Sequence, residues 1–265
     1  MLFIIGFVII RLQRYEKILK CKKKNVILQR NQYESNMKIG IIVAMEKELR
    51  QLKKALGDDP RFRLMQCGIG KVNAALGAQQ LINEFRPDAI VSTGCAGGNG
   101  DDLQVQDVVV GAEVCYHDVY CGTAIDNTTQ FGQVQGLPLR FKADEYLLSK
   151  APLSPPEGNT NAFVSGGNEA PLVAVHKGLI VTGDWFVDSR EKMREIVGNF
   201  PDARAVDMES AAIAQACYLN KVPFISFRVV SDIPLRDTDA SQYHDFWSTI
   251  AENSFHITRK FVESL

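Results

Sequence analysis

An α/β fold is expected from three features of the sequence. Phe224–Val230 (FISFRVV) is a near-continuous apolar run that ends in Ser231 and Asp232, as in a strand buried on both faces. Lys38–Met45 is a second such run, followed directly by leucines at helical spacing, Leu49, Leu52 and Leu56. Further strand, glycine-turn and helix patterns then alternate along the chain. In open α/β sheets ligands sit beyond the carboxyl ends of the strands. Asp232 stands at such an end. It either caps the turn before Pro234 or presents a desolvated carboxylate to a pocket.

Length and composition bound the rest. The 265 residues, 46% hydrophobic and 23% charged, suit one large domain. Net charge is -1 overall. Residues 1–36 hold eight Lys/Arg and two Glu, a surplus of six, which leaves the remainder at -7. An acidic body without a basic stripe argues against nucleic acid. Six cysteines lie scattered, without metal-ligand or disulfide-framework spacing. They read as reduced thiols of a cytoplasmic protein, with no metal.

Met1–Ile10 is apolar and too short to span a bilayer, where about 18 residues are needed. Basic residues follow it instead of preceding it, unlike a signal peptide. Residues 1–36 are therefore expected to be an extension outside the fold, and 37–265 the domain. No membrane partner is expected for that domain.

The first strand leads to a helix over 46–56, ended by Gly57. Glu46 and Glu48 fall in its first turn, where acids suit the helix dipole. One of them can also reach a pocket, and the pattern does not choose between them. Arg63–Cys67 reads as a strand, Gly68–Lys71 as a turn, and Val72 to about Phe85 as a helix. That glycine turn matches neither phosphate-loop pattern. Asp88–Thr93 is a strand running into a small-residue loop, Gly94–Gly98, that permits close approach of a ligand. A strand pair is expected over Val105–Val114.

The segment 116–142 is mixed, with a polar tip near Asp126–Thr129. Residues 151–170 are rich in Pro, Gly, Asn and Ser and read as a surface excursion. Lys177–Val181 is a strand that ends near Trp185 and Phe186, a flat apolar wall. Ala205-Val206 leads to Asp207, a candidate cap, then Glu209 and a helix over Ala211–Leu219. A C-terminal helix is expected over Phe246–Ser264. Separated carboxylates, an aromatic wall and no cationic cluster suit a neutral, hydroxyl-bearing ring compound such as a nucleoside.

The segments MKIGII and AMEKE (37–42 and 44–48), GIGKV (68–72), TGCAGG (93–98), YHD (116–118), GDWF (183–186), VDME (206–209) and RVVSD (228–232) recur in order. Through them, residues 37–265 resemble the 5'-methylthioadenosine/S-adenosylhomocysteine nucleosidases of the purine nucleoside and uridine phosphorylase superfamily. The resemblance implies a three-layer α/β/α fold around a mixed sheet, a homodimer, and no cofactor. It implies hydrolysis of the N-glycosidic bond, with Glu48 as the base that activates water. Asp232 would protonate purine N7, positioned by Ser231 and Arg228. Glu209 would hold the ribose hydroxyls, with Met208 against the sugar. Phe186 would stack on the base and the Val187 backbone bond its edge. Cys95, Ala96 and Gly97 would line the sugar and water side, and Met45 and Ile69 also belong to the substrate site.

Four features depart from the family pattern. Cys95 stands for a serine, Asp207 for a glutamate, the stretch between Leu56 and Cys67 is short, and 119–137 differs in length. They bear on the 5' substituent more than on the bond broken. Tyr243 and Phe246 are candidates to close that side. Three other readings compete: a phosphate-dependent nucleoside phosphorylase, a nucleosidase for another 6-amino purine riboside, and a non-catalytic nucleoside binder. Phosphorolysis needs a dianion site, usually built with arginine, and Val91–Gly98 holds no basic residue.

Overall fold

Strand β1 (Ile39–Val43) is buried at all five positions and lies between two parallel neighbours, β2 (Phe62–Gln66) and β3 (Ala89–Gly98). The computed structural model describes residues 37–122, 128–154, 173–236, 241–247 and 255–265, among which Lys38–Ser264 belong to one unit. The other strands are β4 (Val108–Tyr116), β5 (Phe141–Lys142), β6 (Val175–Thr182), β7 (Ala203–Asp207) and β8 (Phe224–Asp232). They run in the order β2-β1-β3-β7-β6-β4-β5, and β8 bridges β3 and β4.

The sheet is mixed, as expected for an α/β protein of this kind. β8 is parallel to β3 and antiparallel to β4. β7 is parallel to β6 and meets β3 antiparallel at Gly97 and Gly98. β3, β8, β4, β6 and β7 therefore close into a ring. All nine residues of β8 are buried, because strands flank it on both edges and side chains cover both faces.

Helix α1 (Glu46–Leu56) buries Leu49, Leu52 and Leu56 and stops where the Gly57 N–H, at φ 64°, donates to Lys53 O. Helix α2 (Lys71–Phe85) covers the sheet with Ala74, Ala78 and Leu81. Two short helices, α3 (Glu145–Lys150) and α4 (Arg190–Asn199), start at side-chain caps: Asp144 accepts from Leu147 N and Ser189 from Lys192 N. Helix α5 (Ser210–Asn220) buries four alanines, which let it lie close against the sheet. After α6 (Ser241–Asp245), α7 (His256–Glu263) docks Phe261 on Phe227, ring centres 4.6 Å apart, and Thr258 on Thr93 at 2.9 Å.

Several sequence expectations need correction. Gly94–Gly98 is not a loop: it is the second half of β3. Glycine packs weakly in a strand, but here neighbours fill the space. A Cβ on Gly98 would meet Val230 at 2.8 Å and one on Gly97 would meet Pro234 at 3.0 Å. The strand pair expected over 105–114 is one strand, β4, whose antiparallel partner β5 comes much later. α3 and α4 were not anticipated. Phe246 follows α6, α7 supplies the end of the expected C-terminal helix, and 248–254 lie outside the described residues. So do residues 1–36, residues 126 and 127 of the polar tip, and 155–170 of the surface excursion.

Candidate active site

One cleft opens at the carboxyl ends of β1, β3, β7 and β8. Ala44 and Met45 follow β1, Glu48 comes from α1, and Ile69 from the turn after β2. β3 contributes Cys95, Ala96 and Gly97. The segment after β6 brings Trp185, Phe186 and Val187. Val206 and Asp207 end β7, Met208 and Glu209 follow, β8 ends in Ser231 and Asp232, and Tyr243 reaches in from α6. Every residue given a site role by the family resemblance, except Arg228, lines this one space.

The structure separates the two glutamates of α1. Glu46 faces outward and pairs with Arg50 at 3.5 Å. Glu48 is 1% exposed, and backbone donors hold both its oxygens. Oε2 accepts from the N–H of Ala44 (3.0 Å) and Met45 (2.9 Å), and Oε1 from the N–H of Cys95 (3.1 Å). Burial pushes its pKa up, while those N–H groups and the charge of Arg228 pull it down. Burial outweighs them, so this carboxyl holds a proton more readily than a solvated glutamate does.

Glu209 Oε1 accepts from Gly70 N at 3.0 Å. Burial, then the nearby Asp207 charge, raise its pKa. Ser231 donates to Asp232 Oδ1 at 2.7 Å and to the Ala96 carbonyl at 3.3 Å, fixing the carboxyl at the end of β8. Arg228 lies behind the cleft wall, 1% exposed. Its Nε donates to Asp207 Oδ2 (2.6 Å) and Ser210 Oγ (3.1 Å), and its Nη2 to Ser92 Oγ (2.9 Å). Burial keeps the Cys95 thiol protonated, reinforced by Glu48.

The apolar wall is built from Phe186 and Tyr243, edge to face with centres 5.1 Å apart, together with Met45 and Ile69. The Tyr243 hydroxyl lies 4.0 Å from Met45 Sδ. Phe246 is fully buried and packs on Trp247; it is not among the residues lining the cleft. His117 is buried as well, with its ring packed over Gly183. Among the described residues no group of three His, Cys, Asp or Glu is placed to hold a metal.

The Phosphorylase superfamily model matches residues 58–263. A 5'-methylthioadenosine/S-adenosylhomocysteine nucleosidase of Exiguobacterium is 37% identical over 235 residues, covering 82% of this chain and 94% of that protein. The Bacillus velezensis nucleosidase of the same description is also 37% identical and is matched along its full length, against 86% of this chain. The chain belongs to the 5'-methylthioadenosine/S-adenosylhomocysteine nucleosidase family. Solved structures agree. The Neisseria meningitidis nucleosidase with methylthio-immucillin-A superposes with a TM-score of 0.72 at 37% identity, covering 86% of this chain and 99% of that one. The Colwellia psychrerythraea nucleosidase with adenine gives 0.74 at 34%, covering 87% and 96%.

Within this nucleosidase family member, residue-level reading overlooked Ala44 and Val206. Each is a strand-end residue whose contribution comes through the backbone or bare apolar contact, so no side-chain chemistry marks it. Asp207 was read as a cap, which it is in part, since it accepts from Ser210 N at 3.1 Å. Its bond to Arg228 joins residues 21 apart in sequence, a pairing no local pattern shows.

Proposed function

We propose that the cleft hydrolyses the N-glycosidic bond of 5'-methylthioadenosine and/or S-adenosylhomocysteine, giving adenine and the 5'-thio-substituted ribose. The observation that carries this is the pair of acidic groups, Glu48 and Asp232, entering one cleft that, among the described residues, is lined by no Lys or Arg. In this reading Asp232, oriented by Ser231, delivers a proton to purine N7 and makes the base a better leaving group. Glu209 holds the ribose hydroxyls, Met208 lies against the sugar, and the cationic sugar that develops is stabilised by the surrounding carboxylates. Glu48 takes a proton from the attacking water. Phe186 stacks on the base while the Val187 backbone reads its edge. Cys95, Ala96 and Gly97 border the water, and Arg228 supplies a buried positive charge behind Glu48.

The absence of lining cations favours water over phosphate as the nucleophile, because a phosphate dianion beside Glu48 would be repelled. The test is incubation of the full chain with methylthioadenosine, S-adenosylhomocysteine, adenosine and inosine, with and without phosphate. Free adenine and free sugar, indifferent to phosphate, are expected. Sugar 1-phosphate formed only with phosphate would reassign the enzyme as a phosphorylase. No release from any of the four would point to another riboside or to a binder.

The working form in this reading is a homodimer. Val72 and Leu76 on α2 and Leu219 on α5 are 69%, 65% and 60% exposed and border one apolar groove. A second copy is the occupant the family resemblance implies. Leu76→Glu with Leu219→Glu is expected to give monomers by sedimentation. Residues 1–36 lie outside the catalytic domain in this reading, and the enzyme works in the cytoplasm, where its scattered free cysteines stay reduced. Among the described residues no helix is long and apolar enough to cross a membrane.

A further inference from the structure

Asp207 borders the cleft, yet its carboxylate is already engaged. Oδ1 accepts from the Thr182 hydroxyl at 2.5 Å. Oδ2 accepts from the Ser210 hydroxyl at 2.5 Å, the Ser210 N–H at 3.1 Å and Arg228 Nε at 2.6 Å. A carboxylate offers about four lone-pair positions; Oδ2 carries three donors, and Oδ1 is shared by the Thr182 hydroxyl and, at 3.4 Å, the Ser210 N–H, so little room is left for a substrate hydroxyl. Whatever Asp207 does for the reaction, it does through these four donors. Thr182 and Ser210 are neutral; Arg228 is the cation among them.

Arg228 has one amino group turned toward the base. A Cβ on Gly94 would lie 2.5 Å from Arg228 Nη1 and 2.8 Å from Glu48 Oε1. The two groups therefore flank the same small space, kept open because residue 94 has no side chain. The ionisable groups around the guanidinium come from several elements: Asp207 from β7, Glu209 ahead of α5, Glu48 from α1, Cys95 from β3 and Cys67 after β2. A buried cation among competing carboxylates closes onto whichever holds it best.

We propose that Asp207 is a positioning residue that clamps the Arg228 guanidinium by its Nε edge, so that the buried cation serves Glu48 and Glu209 together and does not close onto either. This rests on the roles given to Glu48 and Glu209 above. Without the clamp, Arg228 is free to pair directly with a pocket carboxylate, and its charge is no longer offset by Asp207. Both effects favour the ionised forms of Glu48 and Glu209. A base held as a tight ion pair is a weaker base for water. A merely structural Asp207, stitching β7 to α5 through Thr182 and Ser210, would affect stability and leave the Glu48 titration where it is, because loss of the Asp207 charge acts directly on Glu209 alone.

The deciding experiment titrates full-length protein carrying carboxyl-¹³C glutamate, with the two signals assigned by their loss in Glu48→Gln and Glu209→Gln. In Asp207→Asn both midpoints are expected to fall, by about one pH unit or more, and in Asp207→Glu to stay near wild type. The acid limb of kcat/KM for methylthioadenosine moves the same way in Asp207→Asn, with kcat down at least tenfold, and Asp207→Glu recovers most of it. An unmoved Glu48 midpoint in a folded Asp207→Asn overturns the clamp, even where the Glu209 midpoint falls with the lost Asp207 charge. Ser92→Ala covers the case in which Asp207→Asn does not fold. It removes the partner of Arg228 Nη2 and leaves every donor to Asp207 in place, so the Glu48 midpoint is expected to hold. If it falls, Ser92 and not Asp207 holds the guanidinium. Failure of the wild type to release adenine would defeat the proposed function, while the titration would still decide the clamp.

Discussion

The backbone N–H of Lys71 donates to Asp184 Oδ1 at 2.7 Å, joining residues 113 apart in sequence. This bond ties the first residue of α2 to the segment that carries Phe186. Asp118 completes the knot: its Oδ2 accepts from Lys71 Nζ at 2.7 Å and from Asp184 N at 2.8 Å. Three of the family segments thus meet beside the cleft to fix its aromatic wall, without touching the reacting bond.

Asp184→Ala is expected to weaken the start of α2 by about 1 kcal/mol, the usual size of a lost helix-start acceptor. It also frees the Phe186 segment. Melting temperature should drop by a few degrees, roughly as that energy implies for a chain of this size. KM for methylthioadenosine should rise more than kcat falls. Thermal melts and steady-state kinetics check both, and an unchanged KM would remove Asp184 from the support of the wall.

Gly94→Ala tests how tightly the floor is built. The new methyl group would sit 2.5 Å from Arg228 Nη1 and 2.8 Å from Glu48 Oε1, closer than either can tolerate. Arg228 is pinned by Asp207 and Ser92, so Glu48 is the side chain that must give. Overpacking of this kind costs about 1–3 kcal/mol. Turnover is expected to fall more than tenfold in a protein that still melts cooperatively. Normal turnover would mean that the Glu48 carboxylate need not stay where it is.

What was legible beforehand follows from what each residue depends on. β1 and β8 are visible because burial on both faces makes them continuously apolar. The end of β3 was read as a loop because glycine carries no pattern, and its strand character comes from Val230, Val206 and Pro234 across the sheet. α4 buries only Met193 and Ile196, too few for a period, so its one signal was the cap at Ser189. The cleft residues were named from motif resemblance and converge as a set. Residue pattern alone left Glu46 and Glu48 open, because both suit a first helical turn; the resemblance pointed to Glu48, and the fold buries it in the cleft.

Glu48→Gln and Asp232→Asn test the proposed base and the proposed acid separately. Each keeps size and shape and removes one proton-transfer role, so turnover should fall about 10²–10⁴-fold in each. Glu48→Gln carries an added cost. A carboxylate accepts from all three N–H groups of Ala44, Met45 and Cys95, whereas an amide nitrogen opposes at least one of them. A lost buried acceptor costs about 1–3 kcal/mol. Circular dichroism and melting should show both variants folded, with Glu48→Gln the less stable. Near-full activity in either would refute its assigned role.

Glu209 gives a pH dependence with a definite sign. Burial and the Asp207 charge raise its pKa in the fold from 4.5 to about 7. A raised carboxyl pKa means the folded protein holds the proton more tightly than the unfolded chain. Stability therefore falls as pH rises from the unfolded value through the folded one, and the penalty is complete above it. Glu209→Gln keeps an acceptor for Gly70 N and carries no charge to bury. Its melting temperature should match that of the wild type near pH 4 and rise above it progressively between about pH 4.5 and 7, then hold a constant lead. Melts across that range decide the matter: a lead that shrinks with rising pH would place the Glu209 proton on the opposite side of the balance, with the folded state preferring the carboxylate.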